Sequence, residues 1–135
     1  MNLSARMRAL ARQQSTERLP LAAARRLAGD RLVLGVSTHD VAEARAAADG
    51  GADYVGFGPM FTTTSKADAL TPRTLEGLQT VRAAIRIPIV AIGGIGPDAA
   101  PAILDAGADA VAMISAIANA PDPAELCARL MVRRA

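Results

Sequence analysis

The chain has 135 residues, of which 51% are apolar and 2% aromatic, with a formal net charge of +2. This length fits one domain, and so small a charge gives no sign of a nucleic-acid surface. No apolar run approaches the roughly 20 residues of a membrane-spanning helix, so no membrane partner is expected. The single cysteine, Cys127, excludes an intramolecular disulfide and favours a reducing, cytoplasmic setting. A core built from Ala, Val, Leu and Ile is typical of a parallel α/β protein.

Helices and short aliphatic strands alternate along the sequence. Residues 1–18 are predicted to form a basic segment that is helical or poorly ordered, followed by a helix over residues 21–27 that Gly29 ends. Strands are predicted over residues 32–36, 53–57, 88–92 and 109–114. The intervening helices are predicted after the capping residues Asp40 and Thr74, from Asp98, and near Pro123, the first three running to about residues 49, 86 and 107. This order predicts a parallel sheet of about four βα units.

An internal repeat supports the same architecture. The segment GADYV at 51–55 recurs as GADAV at 107–111, which is 56 residues later. In each copy a helix is predicted to end at glycine, a turn carries an aspartate, and a buried strand begins. A step of 56 residues corresponds to two βα units, which is typical of a barrel.

Polar residues follow the first two predicted strands, where parallel barrels carry their functional groups. After the first strand, Asp40 is predicted to cap a helix, which leaves Ser37 free to donate a hydrogen bond to a ligand oxygen. After the second strand come Thr63, Ser65 and Lys66, and small hydroxyl groups beside a lysine suit phosphate oxygens. Lys66 is the only lysine among 15 basic residues, which suggests a site that prefers a compact ammonium group, although chance placement is the alternative.

Glycine and serine follow the last two predicted strands. Gly93 and Gly94 come directly after the third strand, and glycine lets backbone amides approach an anion closely. Ile114 ends the fourth predicted strand, and Ser115 stands at the start of the helical turn that follows it. Barrels often bind phosphate with the loops after their last two strands, so the sequence predicts a phosphate site here.

These segments together resemble thiamine-phosphate synthases. The resemblance covers about residues 19–135 and is carried by GVSTH at 35–39, GADYVGFGP at 51–59, T-x-S-K at 63–66, PIVAIGGI at 88–95, and AGAD at 106–109 through ISAI at 114–117. It implies a partial TIM (β/α) barrel comprising the last four strands, after an N-terminal helical segment. Pro59 and the threonine-rich loop favour the synthase over the related thiazole tautomerase branch, in which a histidine tends to occupy position 59.

The resemblance implies a reaction and a role for each site residue. Family members join hydroxymethylpyrimidine diphosphate to thiazole phosphate, with magnesium, and release pyrophosphate. Ser37 and Lys66 would be the catalytic residues that contact the diphosphate, with Lys66 and magnesium stabilising the leaving group. The thiazole phosphate would be bound by the residues Thr63, Ser65, Gly94, Ile114 and Ser115.

The resemblance also implies that half of the active site is missing. The first four strands of the family carry a Gln-x-Arg-x-Lys strand and two metal-binding aspartates. Alignment through Leu19-Pro20 places Arg18 at the second aspartate, where a cation cannot bind magnesium. Magnesium is therefore expected for the family while its ligands are expected to be absent here. The alternatives are a catalytically inactive phosphate-binding half-barrel, acting as a sensor or partner subunit, or a truncated gene product.

Half a barrel is also expected to need a partner. Two sheet edges would be open, and an inner face including Val33, Val55, Val90 and Val111 would lack its opposite wall. A helix formed by residues 1–14 could cover this opening only in part. We therefore expect a homodimer, or a complex with a chain that supplies the N-terminal half and closes eight strands.

Overall fold

A four-stranded parallel sheet with the order β1-β2-β3-β4 lies at the centre of the computed structural model, which describes residues 19–61 and 74–132. The strands are β1 (Gly35–Thr38), β2 (Tyr54–Phe57), β3 (Ile89–Ala91) and β4 (Ala110–Val111). The helices are α1 (Leu21–Ala28), α2 (Val41–Asp49), α3 (Leu75–Ala84), α4 (Ala100–Asp105), α5 (Ser115–Ala118) and α6 (Pro123–Val132), with a 3-10 turn at Gly29–Arg31. Each strand pairs with the next one along the chain, which confirms the predicted α/β fold.

Two of the three predicted helix starts that depend on a polar side chain are confirmed. The Asp40 carboxylate accepts a hydrogen bond from the Glu43 amide at 2.8 Å, and the Thr74 hydroxyl accepts one from the Gly77 amide at 3.0 Å. Asp98 does not start α4, which begins after Ala99 with no side-chain cap. A proline in the first turn fixes the backbone there instead. None of the helices in the described ranges is long and apolar enough to cross a membrane.

The strands are shorter than predicted, because each needs an extended partner. Residues 32–34 precede the pairing of β1, since the neighbouring chain at that level is still in the turn before β2. The amide of Asp53 donates to the carbonyl oxygen of Leu34 at 2.8 Å, and the ladder begins only at the next residue. β4 ends at Val111 because its partner, β3, ends at Ala91.

The core lies between the sheet and the helices. Val55, Phe57, Ile89 and Ala91 are fully buried there, together with Leu78, Val81 and Ile103 from the helices. The predicted inner face was therefore partly wrong. Val55 and Val111 point toward the helices, whereas Val90 has the predicted orientation; Val33 lies before β1 with 73% of its surface exposed. The opposite face of the sheet carries mainly small residues, because the residues that alternate with this core are Gly35, Ser37, Tyr54, Gly56, Val90 and Ala110.

Candidate functional site

The C-terminal ends of the four strands meet at one edge of the sheet because all four strands are parallel. Ser37 lies near this edge, exposed, and pairs with Gly56 of β2. Gly94 follows β3, and Ile114 and Ser115 follow β4; all three are exposed. Four of the predicted site residues thus lie at the same edge. The other three, Thr63, Ser65 and Lys66, lie outside the described residues.

Hydrogen bonds fix the two residues that follow Ser37. The Thr38 side chain is buried, and its hydroxyl donates to the carbonyl oxygen of Gly56 at 3.0 Å. The His39 amide donates to Glu43 Oε2 at 2.8 Å, and the imidazole Nδ1 lies 2.9 Å from the same oxygen. Glu43 was not among the predicted site residues, although an acidic residue three positions after Asp40 is a sequence signal of a capping box. Ser37 therefore sits on a rigid strand end.

The pairing of β2 with β3 continues past both strands. The Met60 amide donates to the Ile92 carbonyl at 2.9 Å, and the Phe61 amide donates to the Gly93 carbonyl at 3.1 Å. Gly58 permits this close approach, since a β-carbon there would lie 2.2 Å from the Ile92 carbonyl oxygen. Consequently the chain leaves Phe61 beside the Gly93-Gly94 turn, so the segment that contains Lys66 starts next to the predicted glycine site.

The Gly93-Gly94 turn depends on the conformational freedom of glycine. Gly93 has a φ of 93° and Gly94 a φ of 66°, a region that side chains disfavour. A β-carbon on Gly93 would also lie 2.6 Å from the β-carbon of Pro59. The turn therefore places two residues that have no side chains of their own at the edge that also carries Ser37 and Ser115.

The described part of this edge does not fit a magnesium ion. No group of three His, Cys, Asp or Glu side chains lies together within residues 19–61 and 74–132. The carboxylates of Asp40 and Glu43, which follow Ser37 in the sequence, are engaged in hydrogen bonds with the start of α2 and with His39. Magnesium requires several oxygen ligands in octahedral geometry, which this set does not offer.

The opposite edge of the sheet carries an ion pair that was not predicted. Arg25 of α1 donates to Asp53 at 2.7 Å and also to the carbonyl oxygens of Gly51 and Leu32. The Asp53 carboxylate accepts a second bond, from the Leu34 amide, at 2.7 Å. The Arg25 guanidinium, together with this amide, lowers the pKa of the Asp53 carboxyl below its ordinary value. This cluster joins the loops before β1 and β2.

A second copy of the same cluster joins the loops before β3 and β4. Arg82 of α3 donates to Asp109 at 3.0 Å and to the carbonyl oxygens of Ile85 and Ile87. The Asp109 carboxylate accepts the amide of Ile89 at 2.8 Å. Two open clefts, of about 420 and 610 Å³, lie beside the two arginines, and none of the four predicted site residues that the structure describes lines them.

The described chain has a parallel α/β sheet with glycine and hydroxyl residues at the C-terminal ends of its strands. This arrangement is typical of barrel-type proteins, which bind their ligands at those strand ends. The chain belongs to the thiamine monophosphate synthase family, whose model matches residues 9–117. The match confirms the resemblance inferred from the sequence. It begins ten residues before Leu19, within the basic segment 1–18, where no resemblance had been identified.

Individual relatives agree with this family. The chain is 52% identical over 114 residues to the thiamine-phosphate synthase of Moorella thermoacetica, covering 84% of this chain and 54% of that protein. It is 51% identical over 104 residues to the synthase of Chloroflexus aurantiacus, covering 77% and 48%. A thiamine phosphate pyrophosphorylase from Pyrococcus furiosus superimposes with a TM-score of 0.75 at 35% identity, covering 87% of this chain and 55% of that one. The chain therefore spans about half the length of these relatives.

Proposed function

We propose that this chain forms the C-terminal half of a thiamine-phosphate synthase active site. The complete site would join hydroxymethylpyrimidine diphosphate to thiazole phosphate and release pyrophosphate. The observation that carries this proposal is the common edge formed by Ser37, Gly94, Ile114 and Ser115, with the chain departing from Phe61 beside Gly93. Family membership makes this reaction the best account of that edge.

The proposed roles divide between the two substrates. Ser37 and Lys66 contact the diphosphate, where hydrogen bonding and positive charge stabilise the leaving group as its carbon–oxygen bond breaks. The thiazole nitrogen then forms the new bond to the pyrimidine methylene carbon. The phosphate of the thiazole substrate is bound by the residues Thr63, Ser65, Gly94, Ile114 and Ser115.

We propose that the metal ligands come from the other half of the barrel. The described edge offers no set of side chains suited to magnesium, and the resemblance implies that Arg18 occupies the position of a family aspartate. No step of the reaction is therefore assigned to a metal held by this chain. When bound, magnesium would neutralise charge on the diphosphate.

The functional unit in this proposal is a closed barrel. Within the described residues, β1 and β4 pair on one side only, which leaves two sheet edges free. A second copy of this chain, or a chain carrying the N-terminal half, would pair with both edges and cover the face that carries Ser37 and Gly56. Val33, 73% exposed beside β1, would be covered in the same step.

A catalytically inactive phosphate-binding half-barrel is the second candidate. The observation that favours it is the contrast between phosphate-type donors and the missing metal ligands on the described edge. An assay of thiamine phosphate formation separates the two candidates. The chain would be supplied with both substrates and magnesium, alone and with the N-terminal half of the Moorella relative.

We expect no turnover from the chain alone and measurable turnover from the mixture. A Ser37→Ala chain in the same mixture serves as the matched control and should be less active. Turnover by the homogeneous chain alone would contradict the assignment of the metal site to the other half. Absence of turnover in a mixture that forms a stable complex would favour the inactive half-barrel.

A further inference from the structure

The sheet contains the same two-stranded unit twice, once as β1-β2 and once as β3-β4. In each unit the aspartate before the second strand donates its amide to a carbonyl oxygen at the start of the first strand. Asp53 donates to Leu34 and Asp109 donates to Ile89, both at 2.8 Å. Each aspartate carboxylate accepts the amide of that same residue in return, at 2.7 and 2.8 Å. β4 is therefore the counterpart of β2, and β1 is the counterpart of β3.

The seam between the two units is formed by β2 and β3. The amide of Val55 donates to the Pro88 carbonyl oxygen at 3.0 Å, and the amide of Ile92 donates to the Phe57 carbonyl oxygen at 2.9 Å. The helix-facing residues of both strands are fully buried at this seam, and these residues are Val55, Phe57, Ile89 and Ala91. Since β2 and β3 each have a strand on both sides, neither exposes this apolar row.

The counterparts of these residues lie on the two free edges of the sheet and are also apolar. The matched segments 51–57 and 107–113, and the start of each unit, make them Val111, Met113, Leu34 and Val36. All four are half-buried. Val33, the counterpart of Pro88, is 73% exposed. The edges thus carry the side chains of a seam without the strand that would cover them.

We propose that β4 of one chain pairs with β1 of a second copy, and β1 with that copy's β4, closing an eight-stranded barrel. A second copy is selected because the two free edges are counterparts of two strands that already fit each other within this chain. The register would copy that of β2 and β3. Val111 would lie beside Leu34 of the second copy, and Met113 beside its Val36.

The copied register also assigns the hydrogen bonds across the new seam. The amide of Val111 would donate to the carbonyl oxygen of Val33 in the second copy. The amide of Ser37 in that copy would donate to the carbonyl oxygen of Met113. This inference rests on the closed barrel of the proposed function and not on its chemistry. Because two copies would use all the free edges, a chain carrying the N-terminal half would compete with the second copy for them.

The test is disulfide cross-linking between two single-cysteine chains that both carry Cys127→Ala. A Leu34→Cys chain would be mixed with a Val111→Cys chain, left to exchange subunits, and mildly oxidised. Paired residues of neighbouring strands lie about 4.8 Å apart, within the range of about 4.4–6.8 Å between α-carbons that a disulfide spans. The control replaces Val111→Cys with Ala112→Cys, whose side chain points to the opposite face of the sheet.

We expect the unmodified chain to have the mass of two chains in light scattering at micromolar concentration. The Leu34→Cys and Val111→Cys mixture should give a covalent dimer as its main product, and neither variant alone should give one. The control mixture should lose most of that dimer. Val36→Cys with Met113→Cys tests the same register and replaces the first pair if either of its variants has a lowered melting temperature.

Three results would overturn the inference. A monomer throughout the micromolar range would show that no second copy covers the edges. Equal cross-linking of the control mixture would exclude the copied register. A series of larger species would indicate open-ended association instead of a closed barrel.

The outcome is separable from that of the proposed function. A monomer that gives turnover with the N-terminal half of the Moorella relative would overturn this inference alone. A cross-linked dimer, with no turnover in that mixture, would contradict the proposed reaction and support the paired copies.

Discussion

At the N-terminal edge of the sheet one arrangement occurs twice, whereas at the C-terminal edge every strand is followed by different residues. In the first N-terminal cluster Arg25 of α1 donates to the carboxylate of Asp53 before β2 at 2.7 Å. In the second, Arg82 of α3 donates to the carboxylate of Asp109 before β4 at 3.0 Å. In each, the aspartate also accepts a strand amide, and the arginine also holds backbone carbonyl oxygens. The two aspartates occupy equivalent positions in the repeated segments GADYV and GADAV.

The C-terminal edge shows no such repetition. β1 ends with a serine beside a buried threonine, whereas β2 is followed by a glycine-proline turn and β3 by two glycines with positive φ. After β4 comes Ile114, which is 78% exposed. In barrels, residues at the N-terminal edge maintain stability, and those at the C-terminal edge carry function. The contrast indicates which residues should change stability alone and which should change ligand binding.

The largest expected effect on stability lies at Gly58, where the loop after β2 packs closely against the loop after β3. Gly58→Ala should lower the free energy of unfolding by about 3 kcal/mol, because its β-carbon would overlap a backbone oxygen that cannot move away freely. Urea denaturation measures this loss, with Gly96→Ala expected to stay within about 0.5 kcal/mol of the unmodified chain. Equal stability of both variants would show that the two loops are not held together as described.

The next effect should fall on ligand binding rather than on stability. With Lys66 in its proposed role on the diphosphate, Lys66→Arg should weaken binding of inorganic pyrophosphate by about tenfold, because a planar guanidinium group replaces a compact ammonium group. Arg45→Lys, an exposed substitution on α2, provides the control and should bind as the unmodified chain does. Calorimetric titration compares the two, and equal affinities would remove the reason for singling out this lysine.

Removal of either N-terminal cluster should have a moderate effect on stability and none on ligand binding. Arg25→Ala and Arg82→Ala should each lower the free energy of unfolding by about 1–2 kcal/mol, since several hydrogen bonds from a charged group are lost. Because the clusters share no residue, the double variant should show the sum to within about 0.5 kcal/mol. Strong non-additivity in urea denaturation would mean that the two copies are coupled through the sheet.

Structural features that depend on residues close together in the sequence could be predicted, whereas features that depend on contacts between distant residues were missed. Asp40 and Thr74 were identified as helix caps because each acts on an amide three residues away. The partner of Asp53 lies 28 residues away in α1, so local pattern could not reveal the ion pair even though the repeat marked the aspartate. Strand ends and the orientation of Val55 depend on pairing and on the position of the helix layer, which only the assembled fold determines.

Some residues of the candidate site could likewise be predicted from local sequence, whereas others required the assembled structure. Ser37 and Gly94 could be predicted because a polar or glycine residue directly after a buried strand lies at the C-terminal edge in any parallel sheet. The role of Glu43, in contrast, required its contacts with His39.

The smallest expected effect concerns the pH dependence of the first cluster. Hydrogen bonds from Arg25 and the Leu34 amide lower the pKa of folded Asp53 below its ordinary value of 3.8. The charged form therefore stabilises the fold at any pH above that ordinary value, and this contribution is lost as the pH falls through the lower, folded value. Because the Asp53 side chain is 44% exposed, solvent screens the pair and the contribution should stay below about 1 kcal/mol.

Asp53→Asn removes the charge while keeping an acceptor for the Leu34 amide. In urea denaturation, the difference in stability between the unmodified chain and this variant should be constant from about pH 7 to pH 5 and shrink below about pH 4. Added salt should reduce the difference at neutral pH, since an exposed ion pair is screened. A difference that persists unchanged to about pH 2 would show that the charge of Asp53 does not contribute to stability and that its role in the cluster is hydrogen bonding alone.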